Sequence, residues 1–389
     1  MHSLRNRLGF LPTLAFAILV SACVYDFQPD IMGQSGYVAV EGDILIGEQC
    51  SFSAHLSTRL DLEGSRDTSL ICSFRVESSD GAVFPCQDGI VDLTSASLAL
   101  EYRLVVNVSK PFSRTYVSSW APVQFSPPID SLSWSVNDDG ARMWVNVSTR
   151  SDSETGYYRW TASETWEYHP TYGVTHFFAL AGTEYRGRVF KNDAIVEFEE
   201  GDNTYYCWDS AQRSDIMIGS TEGLSEDRLV NFGIYSFDNA DIKVSHIYSV
   251  ELSQFRLTEE AYRYWSTLKD NTTNVGGLFS PEPAEMRGNL VNIDDPDELV
   301  LGYISVTTVA RERLYVDNYV TRFSRWRGPS YGFKNLFPEE YREYYGWQYR
   351  PAWYSESVEK WVWLPKECVD CRAFGGTKNR PSWWINQDK

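Results

Sequence analysis

The chain has 389 residues and a formal net charge of −18, with 53 acidic against 35 basic side chains. So acidic a balance leaves no electrostatic footprint for nucleic acid, whose binders cluster positive charge. Aromatics make up 15% of the residues (14 Trp, 24 Tyr, 20 Phe), which argues against disorder and suits pleated strands and binding surfaces.

Arg5 and Arg7 precede the apolar run Leu8–Val20, and Ser21-Ala22 place small residues directly before Cys23. A basic, then apolar, then small-residue order describes a secretory signal peptide over residues 1–22. Its end resembles the lipobox of bacterial lipoproteins, in which a thiol accepts the lipid and becomes the mature N-terminus. Cys23 is therefore the expected lipidation site. No later run of 18 apolar residues exists, so the expected tether is a lipid and not a spanning helix. Residues 23–35 read as a polar linker.

Strand-like runs follow at Tyr37–Ile46, Cys50–Leu56, Ser69–Glu77, Ile90–Leu93 and Leu98–Val108, at the spacing of a β-sandwich. Pro127-Pro128 cannot donate to a ladder, so a boundary is expected there and residues 36–127 form an N-terminal sandwich. Alternation resumes with Leu132, Trp134 and Val136, turns at Asn137–Gly140, and returns with Met143, Val145 and Val147. Tyr157–Tyr168, Val244–Phe255 and Leu299–Val309 are further expected strands. One helix stands out, Thr258–Lys269: Thr258 can cap it, Glu259 and Glu260 favour its positive end, and Ala261, Trp265 and Leu268 share a face. Residues 128–320 thus read as a second β-domain. The expected fold is mostly β, two immunoglobulin-like sandwiches with one principal helix.

From Thr321 to Lys389, 17 of 69 residues are aromatic, crowded at Tyr341, Tyr344, Tyr345, Trp347, Tyr349, Trp353 and Tyr354. Two readings stand: rings buried against the second domain, or an exposed platform for a ligand or partner. Tyr344, Trp347, Tyr349 and Trp353 are the candidate surface residues, on a segment, Arg325–Tyr354, expected to lie outside the alternating strands.

Six cysteines remain beyond Cys23, and an exported chain keeps disulfides. Cys72 and Cys86 lie almost symmetrically about the turn Ser78–Gly81, which would let them face each other across a hairpin. Cys368 and Cys371 have C-x-x-C spacing, but no second such pair exists for zinc. Structural oxidation is expected there, with each other or of one with Cys207.

Catalytic patterns are weak. Gly328-Pro329-Ser330-Tyr331-Gly332 spells a nucleophile elbow, yet no histidine follows His246 and Pro329 suits a loop. The histidines after the leader, His55, His169, His176 and His246, include no H-x-x-x-H pair. The acidic runs Glu197–Asp202 and Asp294–Glu298 match no EF-hand loop and read as solvated. No metal, cofactor or catalytic residue is assigned, and the expectation is a protein that is not an enzyme.

Tyr157-Tyr158-Arg159-Trp160 followed by Glu164-Thr165-Trp166-Glu167-Tyr168 resembles the exported Bacteroidota lipoproteins grouped as domain of unknown function 4249. Leu257–Tyr262, Gly276–Pro283, Gly288-Asn289, Asp295–Glu298 with Val300–Tyr303, Cys368–Cys371, Gly375-Gly376 and Pro381–Trp384 agree in order. Members often carry Phe where this chain has Trp383. The resemblance implies a setting: an outer-membrane lipoprotein that partners a TonB-dependent receptor. It carries no established catalytic residues to transfer. Asp26 and Asp30 fall short of a dense acidic export signal, which leaves both membrane faces open. The functions in competition are a binding and docking subunit, a hydrolase of glycan or peptide, and a structural or adhesion protein.

Overall fold

Alternating aliphatic residues build the first unit. In the strand Glu101–Lys110, Tyr102, Leu104, Val106 and Val108 are buried while Arg103 and Asn107 stay half-exposed on the other face. The computed structural model describes residues 37–57, 68–138, 140–151, 155–273, 286–318 and 328–385. The expected signal peptide, Cys23 and its linker lie outside them, as do Gly276–Pro283 and the start of Arg325–Tyr354. The chain is mostly β.

Glu101–Lys110 runs between Ile71–Ser78 and Arg114–Ser118, all antiparallel, while Tyr37–Glu41 pairs with Ser53–Ser57 in a second sheet. Val38, Val40, Val76, Val91, Leu104 and Tyr116 close one core between them. Residues 290–307, expected in the second domain, complete this first unit instead. Leu290–Asn292 pairs antiparallel with Arg114–Ser118, and Val300–Leu301 and Val306–Thr307 pair parallel with Tyr37–Glu41 and Ile44–Leu45. Glu298 fastens the return by accepting from Arg114 Nη1 (2.7 Å) and Tyr116 Oη (3.0 Å). The expected strand Leu299–Val309 is accordingly broken. Gly302 takes φ +118°, and a Cβ there would lie 2.1 Å from Val40 O.

The second unit centres on Tyr157–Tyr168, a strand with the bounds expected from sequence. It pairs with Ile247–Leu257 and, on its other side, with Cys207–Gln212 and Met217–Ser220. Val309–Asp317 extends this sheet, and Ser131–Val136, Arg142–Arg150 and Arg228–Asp238 form the sheet facing it. Met143, Val145, Val147, Trp160, Tyr248 and Val250 fill the space between. The helix, α1 (Glu259–Thr273), starts as expected: Thr258 Oγ1 accepts the Ala261 N–H at 3.2 Å. Ala261 is buried, whereas Trp265 and Leu268 are only half-buried. Arg159 covers the Trp265 ring at 4.7 Å and the Phe255 ring at 4.9 Å, and pairs with Asp43 of the first unit. One guanidinium thus joins helix, second unit and first unit.

Between Tyr168 and Cys207 the chain leaves the sheet in a hairpin, His176–Ala179 against Ala194–Glu197. The C-terminal segment adds a three-stranded sheet, with Lys360–Pro365 between Lys334–Leu336 and Tyr349–Ser355. Two short helices, α2 (Tyr341–Gly346) and α3 (Lys366–Val369), flank it. Part of the stretch expected to be loop is therefore strand and helix. Trp363, fully buried, lies 5.3 Å from the ring of Phe178 on the hairpin and 5.0 Å from Tyr341.

Candidate functional site

The C-terminal segment is sewn to the second unit at the start of Cys207–Gln212. Cys207 and Cys371 form a disulfide across 164 residues, which selects one of the pairings open to the sequence and leaves Cys368 a buried free thiol. Trp208 and Thr377 exchange two backbone hydrogen bonds at 2.8 Å. Tyr168 Oη accepts the Gly376 N–H at 2.8 Å and donates to Cys371 O at 2.9 Å. A Cβ on Gly376 would sit 2.2 Å from that hydroxyl, so the contact requires glycine.

Residues next to this seam in sequence, among them Thr204, Asp370, Arg372 and Lys378, help line a cleft of about 380 Å³ between the hairpin and the C-terminal segment. Phe177, Tyr185 and Phe198 pack on each other as a ring wall, with centroids 4.8 and 5.0 Å apart. The C-terminal segment supplies Tyr345, Arg350, Asp370, Arg372 and Lys378. Arg350 lies 4.2 Å over the Tyr345 ring, and its Nη1 donates to Tyr349 O at 2.7 Å and Tyr345 O at 3.3 Å. Burial holds the Arg350 guanidinium below its ordinary pKa. Burial also lowers Lys378, with Asp202 opposing. Arg372 grips Asp370 through two nitrogens at 2.8 and 2.9 Å, and this hydrogen bonding raises its pKa. Asp202 is held low, first by Arg186 and then by Tyr185.

The same segment carries a set of large rings in solvent. Tyr331 is 66% exposed, Phe333 64%, Trp347 59% and Trp353 43%. Tyr344 and Tyr349 are half-buried and meet edge to face at 5.4 Å, with Trp347 beside Tyr344 at 5.0 Å. The two sequence readings therefore divide by residue: Trp363 is core, Trp347 and Trp353 are surface, and Tyr344 and Tyr349 lie between.

The other candidate residues are scattered. Cys72 and Cys86 are free thiols. The hairpin pairs Arg75 with Pro85 and Glu77 with Val83, a register offset by two from the one that would set the thiols opposite. Burial raises the thiol pKa of Cys72, and that of the neighbouring buried Cys50 to about 11. Ser330 is exposed in a loop leading to the strand Lys334–Leu336, where an elbow serine needs a helix to follow. His169 Nε2 lies 2.8 Å from Glu167 Oε1, and its ring meets His246 at 3.6 Å. Trp384 Nε1 donates to the other Glu167 oxygen at 3.1 Å. Burial pushes the Glu167 carboxyl up, but the His169 hydrogen bond and charge, with that indole N–H, bring it below the ordinary range.

Sequence reasoning did not find Arg350, Arg372, Lys378 or the Phe177–Tyr185–Phe198 wall. Singly they look like surface charges and strand rings, and a signal that brings their two segments together is the Cys207–Cys371 pairing, which the sequence left open.

The family model named Domain of unknown function (DUF4249) matches residues 74–313, well over half of the chain. The chain belongs to that family. No curated protein matches the chain. Among the described residues, no helix is long and apolar enough to cross a membrane.

Proposed function

We propose that this member of the DUF4249 family is a lipid-anchored binding and docking subunit of the cell envelope, the accessory partner of a TonB-dependent outer-membrane receptor in nutrient capture. The observation that supports binding is the C-terminal segment, which joins a ring-walled cleft to exposed Tyr, Phe and Trp side chains. Rigid aromatic rings bring large contact area with few rotors, the composition of binding hot spots. Two further parts of the reading rest on sequence. Anchoring rests on the basic, apolar and small-residue order that ends at Cys23. The receptor as partner rests on the resemblance to exported lipoproteins.

Tagged full-length protein recovered from native membranes in mild detergent tests all three parts. Wild type is expected to sediment with membranes and to bring down a TonB-dependent receptor, whereas Cys23→Ser leaves the membrane fraction. Joint replacement of Trp347 and Trp353 by alanine should weaken receptor recovery with little change in melting temperature, because both rings are exposed. Membrane retention of Cys23→Ser after a high-salt wash would refute the anchor. Full receptor recovery by the double tryptophan variant would refute the surface.

A further inference from the structure

The charge balance inside the cleft runs against that of the chain. Its wall carries Arg350, Arg372 and Lys378 against Asp202 and Asp370 in a protein of net charge −18. Both carboxylates are already engaged. Asp370 takes two nitrogens of Arg372, and Asp202 accepts from Arg186 Nε at 2.8 Å and Tyr185 Oη at 2.9 Å. Among the described residues no carboxylate forms an ion pair with Arg350 or Lys378. Arg350 spends only Nη1, on backbone oxygens, and Lys378 Nζ donates to Gly201 O at 3.2 Å. The Nε and Nη2 edge of Arg350 is left unused, and that edge is the fork that grips a carboxylate or phosphate with two parallel bonds. Phe177, Phe198 and Tyr345 stand around these cations as flat apolar surface. A volume of about 380 Å³ falls at the small end of ligand cavities, the size of one ring with its substituents.

From this we infer that the cleft binds a small ring-bearing organic anion. Its carboxylate or phosphate meets Arg350 and Lys378, and its ring lies against Phe177 and Phe198. Ring anions that share this chemistry include a uronic acid, an aromatic carboxylate and a phosphorylated sugar. The inference rests on the binding reading above and names its ligand class, and it does not depend on the receptor.

Titration calorimetry on the full-length lipoprotein in detergent tests it, with glucuronate, benzoate and glucose 6-phosphate as probes. Glucose, benzyl alcohol and inorganic phosphate are their counterparts. At least one ring anion should bind at least about tenfold more tightly than its neutral counterpart and than inorganic phosphate, more weakly at high salt. The probe that binds identifies the source. Arg350→Met should lower that affinity at least about tenfold with the melting temperature kept, and Arg350→Lys should restore part of it. If Arg350→Met does not accumulate, Lys378→Met serves, since its side chain lies nearer solvent. Equal affinity for charged and neutral probes, folded variants that bind like wild type, or no probe bound at millimolar concentration would each overturn the inference. Inorganic phosphate binding as tightly as the ring anions would overturn the ring's part in it. Failure of the wild-type protein to bring down a receptor, with anion binding intact, would sink only the docking reading.

Discussion

The first β-unit and the C-terminal segment solve the same burial problem with opposite materials. The first unit closes on aliphatic side chains, with Ile44, Val76, Val91, Leu93, Leu104 and Val106 fully buried. Small branched residues on alternating strand faces pack to crystal-like density. The C-terminal segment buries a small aliphatic cluster (Ala352, Leu364 and Val369 with Val174) and a ring core of Trp363 with Leu336 and Phe178 borrowed from the hairpin, and leaves Tyr331, Phe333, Phe337, Trp347, Trp353 and Tyr354 exposed. It has too few strands to enclose a core of its own, so a disulfide, a hydroxyl and a borrowed ring hold it in place. A unit assembled that way has surface to spare. The difference therefore separates a region that closes its own core from one that leaves rings in solvent.

Trp363→Ala should break the comparison most severely, at about 3–5 kcal/mol, because it empties the ring core on which Phe178 and Tyr341 pack. Trp363→Phe should cost much less, since the buried indole Nε1 has no hydrogen-bond partner among the described residues to lose. Thermal unfolding followed by near-UV circular dichroism separates the two variants. Equal, small losses would mean that the segment does not depend on this core.

Joint replacement of Cys207 and Cys371 by serine comes next, at about 2–4 kcal/mol for the lost cross-link. The loss should be local. Limited proteolysis is expected to cut the C-terminal segment while the aliphatic first unit stays protected. Simultaneous digestion of both would show that the two regions unfold as one.

The smallest effect concerns pH. The Glu167 carboxyl is held below its ordinary range in the folded protein, so its contribution is present above the unfolded carboxylate pKa, about 4.3, and is lost as pH falls through the lower folded value. Trp384→Phe removes one donor to it from the C-terminal segment. Melting temperature measured from neutral pH down to about pH 3 should then fall less steeply for the variant than for wild type. Parallel curves would show that this contact does not couple the segment to the second unit.

Legibility followed the same division. The strand Tyr157–Tyr168 stands where its residues say, and α1 begins at the cap that Thr258 supplies. The exposure of Trp347 and Trp353 was legible in part, because a crowd of rings on so short a segment exceeds what its own sheet can bury. The cleft was not, because Arg350, Lys378 and Phe177 come from stretches that share no pattern.

Sequence alone therefore determined what depends on neighbours two to four residues away: the β character, the buried faces of the strands, the start of the helix and the resemblance to a family. Tertiary structure decided what depends on distant partners. It set the return of residues 290–307 to the first core, the two-residue register that parts Cys72 from Cys86, and the bond between Cys207 and Cys371. Local patterns are written in the period of a strand or helix, whereas the partner across a long loop is chosen by register, closure and fit, which no short stretch of sequence encodes.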